Sequence, residues 1–249
     1  MDEYLRLHSI DGRVHLLVIN SGYEQMLLNF MHHYKRVHPE PAPPVAVLAL
    51  DVTAMEQLDK HNIHSFLFEA KHWKKLQKNA SSYGAASWGP IVMSKLAAIH
   101  SVLSYGYTVL YTDVDIVLHR PVDSIYRALK QQIGAEIAFQ IDGNAFHSVC
   151  TGVILATPTP FCKQILCADG PDAARWKDDQ LYIQKKLSTL KPTLRSKVVR
   201  LPISVYPHGN FWKKSRNRCS RPVLVHYNYV VGKAAKIGWM KRDHVWIPK

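Results

Sequence analysis

Two carboxylates at positions i and i+2, Asp113 and Asp115, stand between the apolar runs Val109-Leu110-Tyr111-Thr112 and Ile116-Val117-Leu118. In an extended chain such side chains leave the backbone on the same side, so the pair can converge on one cation. An apolar strand ending in two acids is also the pattern of a buried strand delivering them to the carboxyl edge of an open α/β sheet, where ligands bind. The plainer alternative is a strand end with two solvated acids, or Asp115 capping the turn that follows. The spacing alone does not choose between these.

Two hard carboxylates with an incomplete shell suit Mg²⁺ or Mn²⁺, which keep positions open for substrate phosphate oxygens. An imidazole as third ligand tilts the choice to Mn²⁺. His226 is the candidate: it ends the apolar run Val223-Leu224-Val225, and Gly232 and Lys236 downstream supply a flexible turn and an amine able to hold a diphosphate. With fourteen histidines in the chain, an ordinary structural histidine is the alternative. Lys95, between Val92 and Ile99 on a mainly apolar helix face, is either a snorkelling lysine or a cation directed at a phosphate or sugar hydroxyl. Asp178-Asp179-Gln180 reads as an acidic first helix turn, or as a carboxylate and an amide lining a sugar pocket. Asp142-Gly143 is a turn or a hydroxyl binder. Thr151-Gly152 is an ordinary strand entry or a point of close backbone approach.

The elements that would position these residues alternate. Val14 to Asn20 is a first buried strand, and Ser21 with Glu24 has capping-box spacing for a helix whose apolar face is Met26, Leu27, Phe30, Met31 and Tyr34. Val45 to Leu50 is a second strand with Asp51 at its carboxyl end, and Thr53 with Glu56 repeats the capping-box spacing. Ser65 to Phe68 is a short third strand, and Trp73 to Trp88, without a clean period, reads as a long surface loop. Gly89-Pro90 opens a helix running to a glycine cap at Gly106, followed at once by the strand carrying Asp113 and Asp115. Strand and helix in strict alternation predict a parallel, doubly wound sheet. The second half is less regular, with helices expected at Val122 to Ile133, Phe161 to Cys167 and Asp178 to Leu190. Strands are expected there at Ile137 to Ile141, Gly152 to Ala156, Val198 to Leu201 and Pro222 to Tyr227. A nucleotide-binding half over about 14–118 and an acceptor and donor-sugar half over about 119–249 would make one domain.

A chain of 249 residues with 47% apolar and 20% charged residues is globular and long enough for one large core. A formal charge of +13 points to an anionic partner: nucleotide phosphates, nucleic acid or an acidic membrane surface. The four cysteines, Cys150, Cys162, Cys167 and Cys219, form no Cys-x-x-Cys pair, which argues against structural zinc; free thiols are expected, with up to two disulfides as the alternative. No apolar run reaches the roughly 18 residues of a membrane span, and no signal-peptide pattern opens the chain. A complete chain would then be cytoplasmic, and a catalytic domain trimmed from an anchored parent would work in the Golgi lumen.

Taken together the pattern resembles the metal-dependent nucleotide-sugar glycosyltransferases of the GT-A fold. The nearest likeness is to the nucleotide-diphospho-sugar transferases of glycosyltransferase family 77, related to family 8 and its glycogenin-like enzymes. The pieces that carry it are Val18-Ile19-Asn20 with Tyr23 and Asn29, Leu50-Asp51, Lys95, the block Tyr105 to Asp115, Thr151-Gly152-Val153, Asp179-Gln180, Tyr206-Pro207-His208-Gly209 and His226-Tyr227-Asn228 with Gly232 and Lys236. They span about Val14 to Trp239. The resemblance implies an α/β GT-A domain with helices on both faces of a mainly parallel sheet. It implies Asn20 and Asp51 at the nucleoside, and Lys95 at the diphosphate or donor sugar. Asp113 and Asp115 would hold Mn²⁺ (Mg²⁺ as the substitute) with His226 as third ligand, Val114 lining the donor site between them. Gly232 and Lys236 would close over the phosphates. Asp142, Gly152 and Asp179 would read the sugar hydroxyls, with Gln180 beside the anomeric carbon. The partners implied are a nucleotide sugar, above all a UDP-sugar, and a glycan, glycoprotein or small-molecule hydroxyl acceptor, with no nucleic acid.

Two departures concern sugar recognition: Thr151 stands where relatives often carry Asn, and the interval from His226 to Lys236 is longer than in the glycogenin-like branch. The family implies retention at the anomeric carbon. Gln180 is a weak nucleophile, so front-face attack is expected, with the leaving phosphate taking the acceptor proton. Two other classes compete. A haloacid-dehalogenase-type phosphatase would use Asp113 as nucleophile, but it places its Asp-x-Asp on the first strand and leaves His226, Gly232 and Lys236 without a role. A basic nucleic-acid module lacks a concentrated basic-aromatic stripe.

Overall fold

The structure is a computed structural model describing residues 1–69, 88–168, 175–176, 178–219 and 221–248. The loop expected from Trp73 to Trp88 falls, but for its last residue, outside them. In chain order the elements are α1 (Asp2–Leu7), β1 (Ser9–Ile10), β2 (Arg13–Ile19), α2 (Glu24–Val37), β3 (Val45–Ala49), α3 (Val52–Lys60) and β4 (Ser65–Leu67). Then come α4 (Trp88–Ser104), β5 (Thr108–Thr112), β6 (Ile116–Leu118), α5 (Asp123–Gln131), β7 (Ile137–Ile141) and β8 (Val149–Ala156). The last are α6 (Pro160–Leu166), α7 (Asp179–Ser188), β9 (Val198–Leu201), α8 (Gly209–Ser215), β10 (Leu224–His226) and α9 (Lys233–Arg242).

The main sheet runs β4-β3-β2-β5-β8-β7-β9, with β1 paired to β2. Its first four strands are parallel, as the alternation predicts. The sheet is mainly parallel, as expected, and β8 enters it antiparallel between β5 and β7. Alternate strand residues feed two cores. Val109, Tyr111 and Ile154 face α4, α6 and α7, while Leu110, Val153 and Leu155 face α2, α3 and α5. Helices therefore cover both faces, and each fully buried Val, Leu or Ile contributes about 1.5–3 kcal/mol.

Three local readings change. The run from Val109 to Leu118 is two strands broken at 113–115, because β6 leaves the main sheet to pair antiparallel with β10. The cap of α3 is Asp51, whose Oδ1 accepts the Ala54 amide at 2.8 Å, two residues ahead of the Thr53 expected. A 3-10 turn over Ser21–Tyr23 delays α2 to Glu24. The four cysteines are free thiols.

The β6–β10 ribbon joins two cores. Ile116, Leu118 and Leu224 enter the second main core, whereas Val117 and Val225 pack with Tyr227, Trp239 and Met240 of a third cluster that seats α9. The loop after β5, the end of β10 and the last turns of α9 are thereby fixed relative to one another.

Candidate active site

The cluster of Asp113, Asp115 and His226 is assembled by backbone bonds. The Asp113 amide donates to the Gly152 carbonyl at 2.9 Å, and the Tyr227 amide donates to the Asp115 carbonyl at 2.9 Å. His226 pairs across the ribbon with Ile116. Its Nε2 then lies 3.1 Å from Asp115 Oδ1 and 3.6 Å from Asp113 Oδ2. One ligand atom from each of the three residues lies within 4.8 Å of the others. The two acids converge from a turn, not from an extended strand, so the same-side spacing expected of them is not what brings them together.

Gln140 sets the orientation of the imidazole. Its Nε2 donates to the Tyr206 carbonyl at 2.9 Å, which leaves Oε1 facing His226 Nδ1 at 2.9 Å. Gln140 keeps a proton on Nδ1 and leaves Nε2 facing the two carboxylates, where it carries a second proton when no cation is bound and would offer its lone pair to a metal that displaced that proton. Burial works against a charged imidazole, yet Asp115 outweighs it and holds His226 up at about 10. For Asp115 burial is likewise opposed, and Lys236 and His226 hold its carboxyl below the usual range. The position between these oxygens and Nε2 therefore favours positive charge. A Cβ at Gly152 would lie 2.1 Å from His226 Cε1 and 2.8 Å from Asp113 Oδ2, so the cradle closes only around glycine. Two carboxylate oxygens and one imidazole nitrogen are a donor set that could hold a divalent cation.

Two lysines flank the acids. Lys236 Nζ is 2.5 Å from Asp115 Oδ2. Lys95, 6% exposed, holds Asp179 Oδ2 at 2.7 Å and Asp113 Oδ1 at 3.4 Å, which rules out the snorkelling reading. Burial opposes the Lys95 ammonium, but Asp113 and Asp179 overcome it and raise its pKa. Asp179 is raised as well, first by its own burial; Lys95 shared with Asp113 offsets only part of that. Tyr111 donates its hydroxyl to Asp113 Oδ1 at 2.6 Å.

These groups open into a cavity of about 520 Å³, within the range of small-molecule sites. Asn20, Tyr23, Val114, Gly152 and Lys236 line it on the side of the acids, and Asp142, Asp179, Gln180 and Tyr229 line it further along. Asp142 accepts from Gln180 Nε2 at 3.0 Å and from the Tyr229 hydroxyl at 2.7 Å. The backbone of Gly232 has φ +89°, the left-handed region that favours glycine, and it starts α9, which carries Lys236. Two expected residues stand back from the wall. Gly232 acts through that turn, and Asp51 accepts the Ser21 amide at 3.0 Å with the oxygen its helix cap leaves over. Sequence reasoning passed over Gln140, Tyr111 and Tyr229. Gln140, the one polar residue inside the run Ile137 to Ile141, was the visible signal among them.

The sequence profile of a nucleotide-diphospho-sugar transferase family matches residues 42–240. No curated protein matches the chain. Among solved structures the chain is similar to mouse xyloside xylosyltransferase 1 in its apo form, at TM-score 0.58 and 11% identity over 87% of this chain and 98% of that one. The galactosyltransferase LgtC, solved with donor and acceptor sugar analogues, gives TM-score 0.51 and 11% identity, covering 86% of each chain. The apo WbbM bifunctional glycosyltransferase gives TM-score 0.56 and 10% identity over 89% of this chain, which spans 46% of that larger protein. At these identities the likeness is one of fold: the mainly parallel α/β sheet of GT-A glycosyltransferases, in a single domain.

Proposed function

The chain belongs to the nucleotide-diphospho-sugar transferase family, a family of glycosyltransferases, and from that premise we propose a metal-dependent, retaining transfer of a sugar from a UDP-sugar to an acceptor hydroxyl. Within the family we place it nearest to glycosyltransferase families 77 and 8. The observation that carries the reading is the convergence of Asp113, Asp115 and His226 beneath a cavity of substrate size. These three would hold Mn²⁺. When bound, the ion neutralises charge developing on a nucleoside diphosphate leaving group.

The chain's own residues do the rest. Lys95 and Lys236 add fixed positive charge beside the acids, where the leaving phosphates carry negative charge. Asn20 faces the nucleoside, and Asp51 holds the neighbouring Ser21 backbone in place. Residues of about 14–118 take the nucleotide, and those of about 119–249 the donor sugar and the acceptor. Asp142, Gly152 and Asp179 bind sugar hydroxyls, with Gln180 at the anomeric carbon. Every carboxylate among the described lining residues is already engaged: Asp113 and Asp179 with Lys95, Asp115 with Lys236, Asp142 with Gln180 and Tyr229, and Asp178 with the Leu181 amide. That supports front-face attack, in which the leaving phosphate itself takes the acceptor proton, over a carboxylate nucleophile or base.

Family membership sets aside the phosphatase and nucleic-acid readings. No helix among the described residues is long and apolar enough to cross a membrane. The test is a screen of nucleotide sugars for Mn²⁺-dependent hydrolysis. A UDP-sugar is expected to be turned over, and Asp113→Asn or Asp115→Asn should lower that rate by about 10²–10³-fold with the fold intact. Full activity in either variant would sink the assignment.

A further inference from the structure

The charge of the molecule is unevenly placed. Residues 180–249 carry sixteen Lys and Arg and one acid, Asp243, whereas residues 1–179 carry sixteen Lys and Arg against eighteen Asp and Glu. Asp243 is turned inward, accepting from Trp212 Nε1 and the Tyr227 hydroxyl at 2.9 Å each. Part of this excess gathers on one face. Lys213 of α8 and Arg242 of α9 both lie 5.8 Å from the centre of the Trp239 ring. Next to them, His119 approaches Trp212 at 6.4 Å, and Arg120 donates to the carbonyls of Arg221 and Pro222. Lys213, Lys214, Arg218, Arg221, Arg242 and Arg120 are all exposed, and none pairs with an acid among the described residues.

We infer that this α8–α9 face docks a polyanionic saccharide acceptor, bearing carboxylate, sulfate or phosphate groups, whose hydroxyl enters the neighbouring cavity. The inference rests on the glycosyl transfer proposed above. Both helices start at that cavity: the Gly209 amide donates to Asn228 Oδ1 at 2.8 Å, Asn228 lines the wall, and α9 carries Lys236. With a rise of 1.5 Å per residue, Lys213 lies about 6 Å along α8 from Gly209, and Arg242 about 9 Å along α9 from Lys236. A chain-like acceptor laid across those distances presents its end to the reacting site.

The face excludes other polyanions by what it lacks. Of the large exposed hydrophobic residues, Tyr229 and Val231 precede α9 but line the cavity, and none lies on α8, α9 or the strand between them, so among the described residues these elements present no apolar face to enter a bilayer or to seat peptide side chains. Trp239 is buried, Trp212 is half-buried and bonded, and the exposed Tyr229 is tied to Asp142 at the cavity, so among the described residues α8 and α9 offer no row of open aromatic rings for stacked bases.

The experiment is calorimetry on the full chain with a sulfated heparin hexasaccharide, neutral maltohexaose, polyglutamate and a short DNA duplex. The sulfated hexasaccharide should bind and weaken as salt rises, and maltohexaose should not bind. The triple change Lys213→Glu, Arg221→Glu and Arg242→Glu should weaken binding by about tenfold or more and leave UDP-sugar hydrolysis unchanged. If that variant does not fold, Lys214→Ser with Arg218→Ser reads the same loss more gently. Equal binding of maltohexaose, binding untouched by either set of changes, or tighter binding of polyglutamate or duplex would overturn the inference. Absence of hydrolysis in the unaltered protein would count against the transferase reading instead, leaving the docking result to stand or fall by calorimetry.

Discussion

At Gly152 the backbone passes so close to His226 and Asp113 that a single methyl group would occupy the space of the imidazole edge. Gly152→Ala therefore tests whether the three ligand groups depend on that approach. The fold should survive with a loss of about 1–3 kcal/mol, as for other overpacked positions. Mn²⁺ affinity, followed by the disappearance of the free-ion EPR signal, should fall about 10–100-fold, as when a supporting contact to a ligand is lost. Unchanged affinity would mean that His226 does not need the position described. Gln140 belongs to the same scale: it does not line the cavity, yet it decides which nitrogen of His226 faces Asp115.

Lys95 ties elements together, since it stands on α4, pairs with Asp113 after β5, and pairs with Asp179 in the first turn of α7. Lys95→Met would leave Asp179, 5% exposed, as a buried carboxylate without its cation. Breaking one side of such a pair costs about 3–5 kcal/mol. Urea unfolding should show that loss, and adding Asp179→Leu should recover most of it; a double variant no more stable than the single one would contradict the pairing. Much at this scale was legible beforehand. The runs Val14 to Asn20, Val45 to Leu50 and Val109 to Thr112 read as buried parallel strands, because strands covered on both faces are apolar throughout. The insertion of β8 against β5 was not legible, because strand direction there depends on a partner some forty residues away. Nor was the break at 113–115, since β6 is as apolar as β5 and only its pairing with β10 separates them. The same limit applies to the site. Asp113, Asp115, Lys95 and His226 could be chosen by residue type and local setting. The Tyr111 link is local, two residues from Asp113, but nothing in its residue type singles it out, whereas the links made by Gln140 and Tyr229 arise only when segments more than eighty residues apart pack.

For the whole molecule, His15 couples the core to pH. It is buried, its Nε2 lies 2.9 Å from Thr112 Oγ1, and burial, with a smaller push from the charge of His38, lowers it to about 3. Below about pH 6.5 the unfolded chain takes up a proton that the native state refuses, so stability falls as pH drops towards 3, by up to about 1.4 kcal/mol per pH unit from this residue. His15→Leu should flatten that acid limb by about one proton in urea titrations between pH 6.5 and 4.5; an unaltered slope would show that another group carries it. The ribbon of β6 and β10 has a consequence of a different kind. Asp113 and Asp115 leave the ribosome more than a hundred residues before His226, and domains fold from the N-terminus as they emerge. The parallel half of the sheet can form while translation continues, but the ribbon cannot close until β10 arrives. The cluster of Asp113, Asp115 and His226 is thus completed only near the end of synthesis, and a nascent chain stalled before residue 224 carries the two acids without the imidazole.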